Sequence, residues 1–310
     1  MRPLVSRPMQ LLRDVERSII AQSLALARIN RQKTKINSLA EVEFRGFSQW
    51  GEDGILDWLV ERLPGIPETF IEFGVEDYRE SNTRLLLWLR NWRGVVIDGS
   101  PSHVQSIRAQ DVSWRFDLTA LCAFIDRDNI DELILQGQLH GEIGVLSVDI
   151  DGNDYWVWER ISVVDPLVVI CEYNAVFGDL YQITVPYQAD FVRGKAHHSN
   201  LYFGASLKAM IGLASLKGYT FVGTNLNGCN AFFVRSDRAD EVLRCLENVY
   251  MHGSRIREAR NEAGRLSFLR GKARVDLIRH LPVFDLEQRR ECILERMGEL
   301  NSERWQTLYG

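Results

Sequence analysis

Apolar positions along this 310-residue chain change period more than once. Between Met9 and Ile29, the residues Leu12, Val15, Ile19, Leu24 and Leu26 recur at near-helical spacing, with Arg13, Arg17, Arg28 and Arg31 among them. That pattern predicts a basic amphipathic helix. From about Phe47, short apolar runs alternate with helical stretches, the signature of βαβ units around a mainly parallel sheet. Five runs read as buried strands, at 69–73, 94–98, 113–116, 145–149 and 167–172, with helices over 82–89 and 104–109 between them. A helix over 205–216 precedes two last strands, 219–224 and 230–234, and the Asn227-Gly228 pair between them predicts an antiparallel hairpin. Beyond Asp237 the pattern reads helix, loop, helix, with a break at Leu281-Pro282. The organisation predicted is an N-terminal helical segment (1–40), an α/β domain (41–236) and a helical C-terminal appendage (237–310).

Composition narrows the class. With 45% hydrophobic and 25% charged residues the chain is globular in character. Its five scattered cysteines form no C-x-x-C pair, so neither a disulfide framework nor a structural zinc site is expected, and a reducing cytoplasm fits best. No apolar run is long enough to span a membrane, and the N-terminus lacks the apolar core of a signal peptide. The net charge of −5 hides an asymmetry: residues 1–35 carry +6, leaving −11 for the remainder. The acidic body argues against nucleic acid as a partner. The basic helix is compatible with packing on the body, with a second subunit in a homo-oligomer, or with peripheral contact at the anionic inner membrane.

The chemistry concentrates at strand ends. An apolar run from Val145 ends in Asp149, Asp151 and Asp154 around a flexible Gly152, an arrangement suited to holding a cation or moving a proton. The next strand ends in Glu172, with Asn174 two residues later on the same side, so oxygen ligands from neighbouring strands would suit Mg²⁺. An EF-hand is excluded, because Gly152 comes too early and Arg160 stands where a bidentate glutamate is needed. Asp154 also reads simply as a helix cap, and Asp149-Ile150-Asp151 matches the D-x-D of metal-dependent glycosyltransferases. At the first strand end Gly74 permits a sharp turn, and Glu72 suits an ammonium better than a phosphate. Asp98 lies about 20 residues further on, where nucleoside cofactors place a ribose-binding acid. Residues 175–203 form a long connection of the kind that covers active sites, and His197 or His198 within it would titrate near neutrality. Trp88, Trp156 and Trp158 read as core.

Taken together, residues 70–76, 96–100, 146–156, 169–174 and 230–235 resemble a class I S-adenosylmethionine-dependent methyltransferase of the FkbM-like group, over roughly residues 46–236. The resemblance implies an α/β, Rossmann-like fold: a seven-stranded, mostly parallel sheet closed by an antiparallel hairpin. It also implies a cofactor set of Glu72, Phe73, Gly74, Asn82, Asp98, Gly99, Ser100, Asp117 and Asp149. Of these, Glu72 and Gly74 would hold the methionine moiety, Asp98 the ribose and Asp117 the adenine. The usual G-x-G-x-G turn keeps its first glycine alone, with Glu76 and Tyr78 at the later positions. Asp151 and Gly152 also resemble the D-G-x-H segment of catechol-type and sugar O-methyltransferases, with Asp154 in place of the histidine; this implies Asp151 as a divalent-metal ligand, joined by Glu172 and Asn174 of the next strand, and Asp154 as base, with His198 of the long connection as another candidate. The implied reaction is methylation of a hydroxyl on a glycan or glycolipid of the bacterial surface. A D-x-D glycosyltransferase and a non-catalytic cofactor-binding module stand as alternatives.

Overall fold

The computed structural model of the chain describes residues 7–303 and 305; the first six residues of the predicted N-terminal segment lie outside them. The chain runs α1 (Arg7–Arg31), α2 (Glu52–Glu61), β1 (Thr69–Phe73), α3 (Arg84–Arg90), β2 (Arg93–Asp98), α4 (Pro101–Ala109), α5 (Val112–Arg115) and β3 (Leu118–Cys122). It continues through α6 (Ile130–Gln136), β4 (Gly141–Val148), α7 (Asp154–Arg160), β5 (Val164–Glu172), β6 (Ile183–Thr184), α8 (Arg193–Ala196), α9 (Leu207–Leu216), β7 (Tyr219–Thr224) and β8 (Asn230–Arg235). It closes with α10 (Ala239–Leu243), α11 (Lys272–Ile278), β9 (Pro282–Asp285) and β10 (Arg290–Ile293).

Seven strands form one sheet in the order β3-β2-β1-β4-β5-β8-β7, all parallel except β8, which pairs antiparallel with both neighbours. This is the fold class expected. Alternating side chains bury both faces. Ile71, Ile97, Leu146, Val169 and Phe233 face one layer, with α6, α7 and α9. Phe70, Val96, Val145, Ile170 and Phe232 face the other, with α2, α3, α4 and α10.

Two expectations change. Residues 113–116 do not form a strand: they lie in α5 and its end, and β3 follows one turn later. The alternation of Val112, Trp114 and Phe116 imitates a strand, but Trp114 points to solvent, while β3 is an edge strand too half-exposed to show an apolar run. The C-terminal region is not purely helical, because β9 and β10 make a hairpin that pairs with β6 in a second, three-stranded sheet. That pairing also anchors the long connection after β5. Helix α1 packs on α2 and α3 and is tied there by Arg31–Asp57 and Glu16–Arg84 ion pairs, leaving Leu11, Val15, Leu26 and Ile29 exposed. No helix among the described residues is long and apolar enough to cross a membrane.

Candidate active site

The chain leaves β1 for β2 and β3 on one side and returns with β4 on the other, so the sheet's switch point lies between β1 and β4. Parallel α/β sheets bind ligands outside the carboxyl ends of their strands at that point. Two adjoining cavities open there, of about 410 Å³ and 290 Å³, sharing Gly74, Glu76, Asp149, Asp151, Arg193 and Glu258.

The larger cavity combines an acid with an apolar lip: Asp98 and Gly99 after β2, then Ile97, Ala123, Phe124 and Ile125. Its size suits a nucleoside-sized ligand. Asp98 accepts from the Glu76 and Ser100 amides at 2.8 Å each and lies 3.2 Å from His103 Nδ1, which fixes the carboxylate at the strand end. The G-x-G-x-G departure has little effect on backbone path: Gly74, Glu76 and Tyr78 have φ of 70°, 47° and 62°. The left-handed turn therefore persists with side chains on it, and Gly74 packs directly on the Asp149 carbonyl.

Glu72 has a different job from the one expected. It is buried, with Oε1 accepting from the Asn82 amide at 2.8 Å and Oε2 from the Ser81 hydroxyl at 2.6 Å and from Thr83. Burial raises its pKa, and the Ser81, Thr83 and Asn82 donors offset part of that rise. With its oxygens taken, Glu72 shapes the 81–83 turn and sets Asn82 into the smaller cavity, where Phe73 also lies. It is not free to receive a ligand's ammonium.

The three aspartates separate by environment. Asp149, at the end of β4, lines both cavities. Burial, then the neighbouring Asp151 and Asp154, holds its pKa well above the usual carboxylate range. Asp151 sits at φ 55° on the exposed side and pairs with Arg193 Nη1 at 2.5 Å. Asp154 is fully buried beneath the cavities, accepting from the Ile150 amide at 2.8 Å and the Gly152 amide at 2.9 Å. Burial pushes its pKa up to about 6 against those two donors. Asp154 is the brace of the loop, so the proton-acceptor role expected for it does not fit its position. Replacing Asp154 by alanine strands the buried Gly152 amide and the half-buried Ile150 amide, an expected loss of roughly 2–4 kcal/mol, to be read from urea unfolding. A midpoint equal to wild type would contradict the bracing role.

Gly152 is needed for a different reason than flexibility: a Cβ there would lie 2.2 Å from the Phe191 ring. The motif loop is thus the seat of the long connection, which also takes hydrogen bonds Asn153 Nδ2 to Gln188 O (2.8 Å) and Trp156 Nε1 to Val185 O (3.0 Å).

Several expected site residues lie elsewhere. Asp117 precedes β3 at the opposite, N-terminal edge of the sheet, exposed beside Arg93, a whole strand length from Asp98. It cannot touch an adenine held at the carboxyl edge. Ser100 caps α4 and lines neither cavity. Asn174 is buried and used up: its amide nitrogen donates to Leu201 and Phe203 carbonyls at 2.8 and 2.9 Å, and its oxygen accepts from the Val176 amide. That leaves it no place as a metal ligand. His198 is exposed, stacked on His197 at 4.2 Å, and lines neither cavity, which removes it as base. Trp88, Trp156 and Trp158 pack in the hydrophobic layers as expected.

Arg193, Glu258, Asn230 and Trp50 were not among the expected residues. Arg193 lies over the Phe203 ring at 3.7 Å and binds Asp151, Glu258 and the Asn200 carbonyl. Burial alone would lower its pKa, but Glu172, Glu258 and Asp151 hold it raised. The hint in the sequence was an arginine in a long connection facing a series of strand-end acids. Glu258 sits in a basic stretch that concealed it.

Carboxylate oxygens of Asp149, Asp154 and Glu172 lie within 4.8 Å of one another. No family model and no curated protein matches the chain. Among solved structures, the chain is similar to an O-methyltransferase from Bacillus cereus in complex with SAH (11% identity, 70% of this chain and 89% of that one, TM-score 0.37). It is also similar to a putative O-methyltransferase from Klebsiella pneumoniae (12%, 69% and 87%, 0.38). A third likeness is to the CurJ carbon methyltransferase (9%, 63% of this chain, TM-score 0.39), of which the chain spans 56%. At these identities the likeness concerns the course of the backbone.

Proposed function

We propose that the chain is an S-adenosylmethionine-dependent O-methyltransferase of the FkbM-like kind, acting on a sugar hydroxyl of a bacterial surface polysaccharide or glycolipid. The observation that carries the methyl-transfer reading is Asp149 standing between a nucleoside-sized cavity and a polar one over the switch point. The sugar and its surface context rest on the sequence resemblance. Cytoplasmic work beside the inner membrane belongs to the same reading, with the outward apolar face of α1 as the surface that would touch it.

Asp98, Gly99 and the Phe124 lip would hold the nucleoside, with Gly74 and Asn82 at the methionine end. S-adenosylmethionine supplies an electrophilic methyl. The acceptor oxygen would take that methyl with S-adenosylhomocysteine leaving, and the hydroxyl proton would pass to Asp149. With its pKa raised by burial and the neighbouring acids, this carboxylate once ionised is a stronger base than an ordinary aspartate.

The ligand set expected for a divalent ion does not assemble. Asp151 and Asn174 are engaged elsewhere, and Asp154 is spent on backbone amides. Only Asp149 and Glu172 remain, with Arg193 already near them as a counter-charge.

Calorimetry tests the reading. S-adenosylmethionine and S-adenosylhomocysteine are expected to bind without added metal, and Asp98→Ala to weaken both by about tenfold or more. Heat from a UDP- or GDP-sugar with Mn²⁺, and none from either methionine nucleoside, would replace this reading with the D-x-D glycosyltransferase. Cofactor binding without methyl gain on glycan, followed by mass spectrometry, would favour the non-catalytic module.

A further inference from the structure

The smaller cavity is strongly acidic: seven carboxylates line it against one guanidinium, Arg193. Some of that charge is already answered, since Asp151 and Glu258 pair with Arg193 and Glu80 with Arg45. Among the described residues Asp149 and Glu172 have no ion pair of their own, and burial together with the charge of neighbouring acids raises both their pKa values.

A second observation is independent of charge. Glu172 Oε2 and Asn230 Oδ1 are buried acceptors with no hydrogen-bond partner among the described residues. Asn230 is 5% exposed, and its amide nitrogen donates to Glu52 Oε1 at 3.0 Å, which fixes the oxygen away from Glu52. The two residues are direct cross-strand partners in the β5–β8 ladder, and both line the smaller cavity. Buried acceptors are satisfied in native proteins, so this pair calls for a donor supplied from outside the chain. Trp50 lines the same cavity, an aromatic face of the kind that accompanies carboxylates where alkylammonium groups bind.

We propose that the acceptor presents a protonated primary amine to Glu172 and Asn230, so that within the reading above it is an amino sugar whose nearby hydroxyl receives the methyl group. The ammonium donates to Glu172 Oε2 and Asn230 Oδ1, neutralises part of the acidic cavity, and leaves Asp149 for the hydroxyl proton. An N-acetylated or neutral sugar offers no such charge and leaves the acidic cavity uncompensated. This inference rests on the methyltransferase reading for the identity of the sugar but not for the amine site itself.

The test uses the full chain and ligand-detected NMR at pH 7 with glucosamine, N-acetylglucosamine and glucose as probes, with and without S-adenosylhomocysteine. Glucosamine is expected to bind about tenfold more tightly than the other two, and Glu172→Gln to abolish the preference. Thermal melting checks that the variant is folded, and Asn230→Ser, which keeps a small polar side chain, is expected to weaken glucosamine selectively as well. Equal binding of the three sugars overturns the proposal. So does Mn²⁺ relaxation enhancement lost in Glu172→Gln without any amine preference, which would assign these acceptors to a divalent cation. Because the amine preference is read without cofactor, failure of S-adenosylhomocysteine to bind counts against methyl transfer and not against the amine site.

Discussion

Replacing Gly74 by alanine is expected to lower the melting temperature by roughly 5–10 °C and to abolish binding of S-adenosylmethionine. Two independent penalties meet at this residue. Its φ of 70° lies in the left-handed region, which costs an L side chain about 1–2 kcal/mol. A Cβ there would also stand 1.8 Å from the carbonyl oxygen of Asp149. Neither backbone can yield cheaply, because β1 and β4 are paired just before this point and the Gly74 amide is itself bound to the Ile97 carbonyl at 3.0 Å. The combined cost is expected to be about 3 kcal/mol or more. The displaced Asp149 carbonyl would carry its side chain out of the junction between the cavities, so binding and stability fail together. Glu76→Gly is the control. Its φ of 47° is already strained, and the substitution is expected to leave the melting temperature within about 2 °C, relief of strain offsetting the added chain entropy. Calorimetry and differential scanning read both variants; a Gly74→Ala protein that melts and binds like wild type removes this account of the turn.

The contrast between Gly74 and Glu76 also shows what the sequence could and could not disclose. Buried strands were legible because both faces of the sheet are covered, so 69–73, 94–98, 145–149 and 167–172 are apolar runs with nothing else to be. The edge strand β3 was not, since one side of it meets solvent and its pattern dissolves into a neighbouring helical turn. The strand-end acids Asp98, Asp149 and Glu172 were found where they were expected, because the turn after a parallel strand is the place where a polar group can leave the core. Their individual roles were illegible. Asp154 is set apart from Asp149 by the Ile150 and Gly152 amides that hold it beneath the cavities, and Glu72 differs from a free carboxylate through the Ser81-Asn82-Thr83 turn folded back on it. The side chains at 76 and 78 hide a turn that the backbone retains. Arg193, Glu258 and Asn230 converge on the cleft from three separate elements, and only tertiary packing brings them there.

Asp149→Asn is expected to lower turnover by about 10²–10⁴-fold while raising the melting temperature of the ligand-free protein at pH 8. The two effects have one cause. Burial and the neighbouring acids raise the folded-state pKa of Asp149 well above its unfolded value. Between those two values the folded chain holds a proton that the unfolded chain has released, so stability falls as pH rises through that window. Asparagine cannot titrate there. The variant's advantage is therefore nil near pH 4 and greatest once pH exceeds the raised folded value, and melting curves across pH 4–9 read it directly. Turnover runs the other way: wild-type rate increases with pH as Asp149 ionises, whereas the residual rate of the variant lacks that limb. Glu172 separates base from neighbour. Its own pKa is raised by burial and by the charges of Asp149, Asp151 and Asp154, whereas the rise at Asp149 comes from burial, Asp151 and Asp154. Glu172→Gln leaves those causes in place and is thus expected to keep the wild-type limb in position and shape. A limb that vanishes in Glu172→Gln and survives in Asp149→Asn would transfer the proton-accepting role to Glu172. A fall in melting temperature for Asp149→Asn at pH 8 would mean that the folded protein holds this carboxylate charged, and the stated direction of its pKa would then be wrong.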